Sequence, residues 1–283
     1  MRGCIVVVTV VMTVGTGVLR ALDATESTPL QSSKPGELVL PVILNGQGPF
    51  AFILDTGSSH SSIAETLAQK LGAPAVAKSL VRSSIGLAVR PIVRLDRVTL
   101  GPTLDSGVLA SLVPGQDLDP TGRIVGVIGQ DVLASRRYTI DFAHRRVVWH
   151  STDETLPPGQ GSFPLRPADG RFFVELLQRD SSHLRLIPDS GAEGLVLYQR
   201  DDKRLPLLIR SPGRTRMNTL TSQADVQPIR VRELQVGPAN FVDLPAVLIE
   251  QHGTPGLEGD GLLPLHWFKR VTFDGPARRL SVE

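Results

Sequence analysis

An apolar run ends abruptly in a carboxylate, a hydroxyl and a glycine in the stretch Phe52-Ile53-Leu54-Asp55-Thr56-Gly57-Ser58-Ser59. A continuous apolar run bounded by turn residues is typical of a buried strand. Asp55 is therefore predicted at the end of such a strand, where the chain must turn. A carboxylate at the edge of an apolar core is costly unless it is hydrogen-bonded or functional.

The residues before this stretch predict a hairpin that delivers Asp55. Residues 37–44 have the pattern of a strand, with Pro41 indicating an edge or a kink. Asn45-Gly46-Gln47-Gly48 then forms a turn from residues that accept positive φ. After the loop, residues 63–71 carry apolar side chains at helical spacing, which predicts a short helix closed by Gly72.

The Asp55 stretch resembles the active-site loop of pepsin-like and retroviral-type aspartic proteases. In that family, apolar residues precede Asp-Thr/Ser-Gly and a small residue. A bare tripeptide of this type is common in ordinary turns, but the apolar approach strand and the trailing Ser58-Ser59 favour the protease loop. The chemistry of the family needs two such loops.

A second copy of the hairpin and loop lies in the other half of the chain, ending in Asp189-Ser190-Gly191. Later landmarks recur in the same order: residues 99–102 with 235–238, residues 126–133 with 261–268, and residues 138–141 with 271–274. The separation is 86 residues from Asp55 to Asp141 and 85 from Asp189 to Asp274. One β unit has therefore been duplicated.

The chain thus resembles a single-chain, two-lobed aspartic protease of the bacterial retropepsin-like kind. The resemblance implies an all-β acid protease fold with few short helices, in which two homologous retropepsin-like β-barrel lobes are related by a pseudo-twofold axis. We expect an N-terminal lobe over residues 37–150, a linker over 151–163 that is rich in Thr, Pro and Gly, and a C-terminal lobe over 164–283. Both loops would face one cleft.

The resemblance implies that Asp55 and Asp189 are catalytic and activate a water between them. Two carboxyl groups a few Å apart share one proton, because like charges that close do not both ionise easily. The expected activity is that of an aspartic-type endopeptidase acting on a peptide or protein, with no cofactor and as a monomer.

Five neighbouring residues would support the two aspartates. By resemblance, the hydroxyls of Thr56 and Ser190 would join the loops through cross-lobe hydrogen bonds. Gly57 and Gly191 would allow the turns, and Ser58 would hydrogen-bond the outer oxygen of Asp55. Ala192 takes the place of Ser58 in the second loop.

A hairpin over residues 81–93 occupies the place of the family's flap over the substrate. Its turn is Ser83-Ser84-Ile85-Gly86, so Ser84, Ile85 and Gly86 are the flap candidates. The pepsin branch has a tyrosine there, whereas the two tyrosines of this chain are Tyr138 and Tyr198. The small-residue flap of the retroviral branch is the closer match, and an ordinary surface hairpin is the alternative.

Two prolines in the second half depart from the family pattern. Pro188 directly precedes Asp189, and Pro264 stands where the first half has Gly129. They leave open a catalytically impaired module that binds extended peptides by strand addition. A third interpretation is an inert envelope protein in which both Asp loops are structural turns.

The N-terminus predicts an exported protein, periplasmic or secreted. Arg2, an apolar run over residues 4–14 and small residues after it have the order of a secretory signal, assigned to residues 1–24, with an uncleaved anchor as the alternative. Membrane contact is expected only through that segment. Residues 25–36 are predicted to be a flexible leader. Cys4 is the only cysteine, so removal of the signal would leave no disulfide and no thiolate.

The composition is that of a soluble globular protein. The net charge is +2 with acids and bases interspersed, which argues against nucleic acid binding. The six histidines are scattered without ligand spacing, so no metal site is predicted. The 22 prolines and 27 glycines favour many short strands and turns.

Overall fold

The computed structural model describes residues 26–31, 37–151, 153–154, 156, 159, 161–200, 208–218, 223–251 and 258–283. The predicted signal or anchor over residues 1–24 lies outside these ranges. Among the helices described, none combines the length and the apolar character needed to cross a membrane.

The first half of the chain folds into ten strands and three short helices within the described ranges. In order, these are β1 (Glu26–Pro29), β2 (Val39–Leu44), β3 (Gln47–Leu54), β4 (Ser62–Ala64), α1 (Glu65–Lys70), β5 (Ala75–Arg82), β6 (Leu87–Leu100), β7 (Thr103–Val113), α2 (Gly115–Leu118), β8 (Ile124–Ile128), α3 (Gln130–Leu133), β9 (Arg137–Asp141) and β10 (Arg146–His150).

The second half repeats this order with small changes. Its elements are β11 (Gly161–Pro164), β12 (Arg166–Ala168), β13 (Arg171–Leu177), β14 (His183–Asp189), β15 (Leu195–Arg200), β16 (Leu208–Arg210), β17 (Thr215–Asn218), β18 (Gln223–Val236), β19 (Ala239–Gln251), β20 (Gly261–Pro264), a 3₁₀ turn (Leu265–Trp267), β21 (Arg270–Asp274) and β22 (Arg279–Val282).

Each half forms its own curved sheet around an apolar core. The first has the strand order β2-β3-β8-β4-β7-β6-β5, and β2 also pairs with β6, which closes the sheet into a barrel. The second has the order β12-β13-β14-β20-β15-β19-β18-β16, with β17 on β18. In both, the strand that leads to the aspartate runs parallel to a partner, β3 to β8 and β14 to β20. The predicted all-β fold with two homologous lobes is confirmed.

A sheet shared by both halves joins the two lobes, with the order β1-β10-β9-β21-β22-β11. At its centre Thr139 lies opposite Thr272, and their hydroxyls are 2.8 Å apart. Beside them the rings of Tyr138 and Phe273 stack with centroids 5.0 Å apart. Since Thr139 and Thr272 occupy equivalent positions in the two halves, the pseudo-twofold axis passes between them.

The prediction of a flexible leader over residues 25–36 is wrong for residues 26–31. β1 pairs antiparallel with β10, and the Trp149 indole donates a hydrogen bond to the Thr28 hydroxyl at 2.8 Å. Leu30 is buried in the core, and Gln31 bridges to Val39. β1 is the counterpart of β11, which lies on the other edge of the shared sheet. The duplicated unit therefore begins near residue 26 and not near residue 37.

Two shorter elements also differ from the prediction. Residues 62–64, at the start of the predicted helix, form β4, and the helix begins only at Glu65. α2 spans Gly115–Leu118, a helical turn that no sequence pattern predicted. Both elements are only three or four residues long, and a pattern that short is too weak to fix where one element ends and the next begins.

Leu30→Ala tests the assignment of β1 to the folded core. We expect it to lower the free energy of unfolding by about 2–4 kcal/mol, because Leu30 is only 6% exposed and its removal leaves a cavity. Leu177→Ala makes the same chemical change at a leucine that is 59% exposed, and we expect less than about 1 kcal/mol. Urea unfolding of both variants decides, and a loss at Leu30 no larger than at Leu177 would restore the flexible leader.

Candidate active site

The two aspartates lie at the ends of the central parallel strands, where the sequence places them. The Asp55 backbone N–H donates to the Ile128 carbonyl at 3.0 Å, which holds the first loop against β8. Gly129 follows directly, and a Cβ there would come within 2.7 Å of the His60 backbone. Glycine is therefore required for the close approach of these two backbones.

Four hydrogen bonds cross between the lobes at the two loops. The Thr56 hydroxyl donates to the Pro188 carbonyl at 2.8 Å and accepts the Ser190 N–H at 3.0 Å. Across the pseudo-twofold axis, the Ser190 hydroxyl donates to the Leu54 carbonyl at 2.8 Å and accepts the Thr56 N–H at 3.0 Å. Both hydroxyls are buried. These are the cross-lobe bonds that the resemblance implies for this pair.

The loops hold the two carboxyl groups against each other. Each carboxyl group lies within hydrogen-bonding reach of the other, and this closeness affects the pKa of both. A Cβ on Gly57 would overlap the Asp189 carboxyl group, and one on Gly191 would lie 3.1 Å from the Asp55 carboxyl carbon. Each glycine of the motif thus leaves room for the aspartate of the opposite lobe. This role is additional to the turn that the sequence predicted for it.

Backbone N–H groups orient each carboxyl group within its loop. Asp55 Oδ1 accepts from Gly57 at 2.9 Å and from Ser58 at 3.0 Å. Asp189 Oδ1 accepts from Gly191 at 2.7 Å, and the Ala192 N–H also donates to this carboxyl group. The backbone of each loop therefore orients its carboxyl group in a similar way.

Burial raises the pKa of both aspartates above the usual range of a carboxyl group, although the loop N–H groups lower it. For Asp189, the neighbouring charge of Asp55 is a second cause that raises the pKa further. A carboxylic acid can donate a hydrogen bond to a neighbouring carboxylate, whereas two carboxylates repel each other. Both causes favour a pair in which Asp189 keeps its proton more readily than Asp55.

The predicted role of the Ser58 side chain is wrong. Its hydroxyl donates to the His60 carbonyl at 2.9 Å, and only its backbone N–H reaches Asp55. Serine hydroxyls readily hydrogen-bond to nearby backbone groups, and here the acceptor is the carbonyl two residues further along the same loop. Ala192 can replace Ser58 in the second loop because only the N–H is used.

The departures in the second lobe are matched by further changes around them. In the first lobe the Gly129 N–H donates to the Ser61 hydroxyl at 3.1 Å, and that hydroxyl donates to Asp131 at 2.8 Å. The equivalent positions in the second lobe hold Pro264, which has no N–H, and the buried Leu195. The donor of Gly129 and the acceptor of Ser61 are lost together, so neither replacement leaves the other residue's polar group without a partner.

Pro188 causes no break at the second aspartate. Its carbonyl is the acceptor for the Thr56 hydroxyl, a bond that does not involve the missing N–H. It lies in β14, where extended backbone suits proline, and Asp189 remains in register opposite Pro264 of β20. The backbone that presents Asp189 is therefore intact.

Arg171 is a site residue that sequence reasoning missed. Its side chain is only 7% exposed, and its Nε donates to the Gly57 carbonyl at 2.9 Å. Its other nitrogens donate to the Asp169 and Arg82 carbonyls at 3.2 and 3.3 Å. The charge of Arg171 lowers the pKa of Asp55, against the larger effect of burial. It begins a predicted strand and looked like an ordinary flanking charge, so no local pattern could have marked it.

The three flap candidates lie at the tip of the β5–β6 hairpin. The Ser83 N–H donates to the Gly86 carbonyl at 2.9 Å and closes the turn. Ser84 is buried, and Ile85 packs against an apolar cluster of the second lobe. Arg171 contacts both the end of β5, at Arg82, and the first active-site loop, at Gly57. The hairpin is thus brought to the active-site loops and does not stand free.

Within the ranges that the structure describes, no group of three or more His, Cys, Asp and Glu side chains is arranged to hold a metal ion. His60 lies in the first loop but is exposed, and its Nδ1 pairs with the Ser59 hydroxyl at 2.9 Å.

The chain matches a family model described as aspartyl protease over residues 40–132 and 177–267, one segment for each half. Similar solved structures include conglutin gamma, a basic 7S globulin from lupine seeds, at 9% identity and a TM-score of 0.50, over 91% of this chain and 94% of that one. At this identity the likeness concerns the fold alone.

Two further solved structures are similar. A basic 7S globulin from soybean has 12% identity and a TM-score of 0.48, over 92% of this chain and 94% of that one. A retropepsin-like aspartic protease from Rickettsia conorii has 19% identity and a TM-score of 0.34, over 44% of this chain and 92% of that one. A comparison with curated proteins gave no significant match.

Thr56→Val tests the cross-lobe hydrogen bonds. It keeps the shape of the side chain but leaves the buried Ser190 N–H and Pro188 carbonyl without their partner, so we expect a loss of about 2–4 kcal/mol in the free energy of unfolding. Ser58→Ala removes a hydroxyl from the same loop that bonds only locally, and we expect less than about 0.5 kcal/mol. Equal losses in urea unfolding would show that the bonds between lobes contribute nothing.

Proposed function

The chain belongs to the aspartyl protease family, and we propose that it is an aspartic endopeptidase that hydrolyses peptide bonds with a water held between Asp55 and Asp189. One observation carries this proposal: the two carboxyl groups are in contact, and four buried cross-lobe hydrogen bonds hold their loops together. Such an acid and base pair can supply the proton acceptor and the proton donor that peptide hydrolysis needs when neither a metal ion nor a covalent nucleophile takes part.

In the proposed reaction, the ionised aspartate takes a proton from the water as its oxygen attacks the scissile carbonyl carbon. The protonated aspartate gives its proton to the carbonyl oxygen, so a neutral diol forms. The diol then collapses, the C–N bond breaks, and a proton passes to the leaving nitrogen. The products are a carboxylic acid and an amine, and the pair returns to its single-proton state.

The surroundings of the pair favour Asp55 as the base of the first step. Arg171 donates to the Gly57 carbonyl in the Asp55 loop, and its charge favours the ionised form of Asp55. Asp189 is buried and has the charge of Asp55 beside it, both of which favour its protonated form. Asp189 would then be the first proton donor.

We also propose that the enzyme acts as a monomer on an extended peptide or protein and is exported by residues 1–24. A single chain supplies both active-site loops, so no second copy is needed to complete the site. Export rests on the basic start and apolar run of the N-terminus alone.

Asp55→Asn and Asp189→Asn test the proposal. We expect each to abolish cleavage of an unfolded protein substrate, because either change removes an essential proton acceptor or donor, with little loss of thermal stability. The wild-type cleavage should be blocked by a statine peptide, which resembles the diol.

Three outcomes of this test would redirect the proposal. Binding of the statine peptide without any cleavage by the wild-type protein would favour the peptide-binding module. Neither binding nor cleavage would favour structural loops. Full activity of Asp189→Asn combined with loss in Asp55→Asn would indicate that two chains join their Asp55 loops.

Replacing Arg171 tests its effect on the acid limb of the pH profile. Its positive charge lowers the pKa of Asp55, so in Arg171→Gln that pKa rises, and the rise of kcat/KM with pH moves to higher pH. Arg171→Lys keeps the charge but not the three hydrogen bonds, so the limb should move less while activity falls. An acid limb in Arg171→Gln at the wild-type pH would refute the electrostatic role.

A further inference from the structure

The tip of the flap hairpin rests on a tyrosine of the opposite lobe. Ser84, at the tip, is only 9% exposed although it belongs to a projecting hairpin. Its hydroxyl accepts a hydrogen bond from the Tyr198 hydroxyl, with 3.1 Å between the oxygens. Tyr198 lies in β15 of the second lobe and is 2% exposed.

Apolar contact accompanies this hydrogen bond. Ile85, next to Ser84, packs against a cluster of the second lobe that includes Tyr198, Phe173 and Ala192. Ala192 follows the Asp189 loop directly, so the flap tip reaches the neighbourhood of the active site. A hydrogen bond between two hydroxyls in apolar surroundings is stronger than one in water, because no water competes for either group while the flap is closed.

A second set of contacts holds the flap further from its tip. The Arg82 carbonyl, at the end of β5, accepts from Arg171 at 3.3 Å. The Arg82 side chain forms an ion pair with Asp169 at 3.4 Å, and both side chains are partly exposed. This pair adds little, since exposed ion pairs contribute weakly. The tip contact with Tyr198 is the buried one.

The tyrosine is a feature of one lobe only. In β4 Ser62 pairs with Val127, and in β15 Val196 pairs with Leu262, which makes Ala64 the counterpart of Tyr198. An alanine has no group that could reach a flap. The second lobe therefore carries, at the matching position, a side chain that is long enough to meet the flap of the first.

We propose that Tyr198 is a positioning residue that latches the flap in its closed position through its hydrogen bond to Ser84. Opening of the flap breaks this bond and withdraws Ile85 from the second lobe, so the latch sets how often the cleft opens. The part of this inference that concerns substrate entry rests on the proposed peptidase function. The part that concerns flap opening does not.

Hydrogen exchange of the purified protein measures flap opening directly. Tyr198→Phe keeps the ring and removes only the hydroxyl, so we expect amide exchange in peptides covering residues 79–90 to accelerate about two- to tenfold, as the loss of one hydrogen bond implies. Exchange in β7, which belongs to the same lobe but not to the flap, should stay within about twofold of wild type.

Tyr138→Phe is the matched control. Tyr138 is the other tyrosine of the chain, it is fully buried, and its hydroxyl has no hydrogen-bond partner among the described residues. Its loss should leave flap exchange unchanged. Ser84→Ala should accelerate flap exchange as Tyr198→Phe does, and the double variant should exceed neither single one by more than about twofold.

A statine peptide tests the consequence for the cleft. Its association rate should rise in Tyr198→Phe by about the same factor as flap exchange, and not in Tyr138→Phe. The latch is refuted if flap exchange in Tyr198→Phe equals that of wild type or that of Tyr138→Phe. Faster exchange in a protein that binds no statine peptide would leave the latch standing and refute the peptidase.

Discussion

The structure depends on keeping two acidic groups in contact at a place that solvates charge poorly. Burial raises the pKa of both Asp55 and Asp189, because apolar surroundings disfavour the ionised form. The two loops are held together by hydrogen bonds to their backbones. The hydroxyls of Thr56 and Ser190 each bond the main chain of the opposite lobe twice, so the loops cannot separate without breaking four buried hydrogen bonds. The barrels and the shared sheet bring these two loops to one axis.

Duplication explains the symmetric parts of the molecule, and paired substitutions explain why the symmetry could be lost elsewhere. The Thr139 and Thr272 hydroxyls still meet on the axis. In contrast, the donor and acceptor formed by Gly129 and Ser61 have been replaced by Pro264 and Leu195 as a pair. Changing only one of them would leave a buried donor or acceptor without a partner, at a cost of about 1–3 kcal/mol. The second lobe therefore differs in packing without losing its loop.

The sequence predicted what is encoded locally and repeated. Apolar strands that end in Asp-hydroxyl-Gly are recognisable because both the strand and the turn are read from adjacent residues, and the second copy confirmed the first. β1 escaped because four residues give little periodicity, although Ser27-Thr28-Pro29-Leu30 recurs as Ser162-Phe163-Pro164-Leu165. The fate of the Ser58 hydroxyl was decided by competition between nearby acceptors. Arg171 and Tyr198 reach the first active-site loop and the flap through contacts between distant parts of the chain, so no local pattern marks them.

Those two residues show what a single chain can do that two identical chains cannot. In a symmetric dimer, any side chain that approaches one aspartate or one flap has a copy that approaches the other. Here Arg171 contacts the Asp55 loop, and Tyr198 contacts the flap of the first lobe, while Ala64 occupies the position equivalent to Tyr198. The two carboxyl groups can then differ in pKa, and the hairpin of one lobe can be held by a side chain that the other lobe alone provides. Fusion of the two halves thus allows the two aspartates to have different surroundings, whereas in a symmetric pair they would be equivalent.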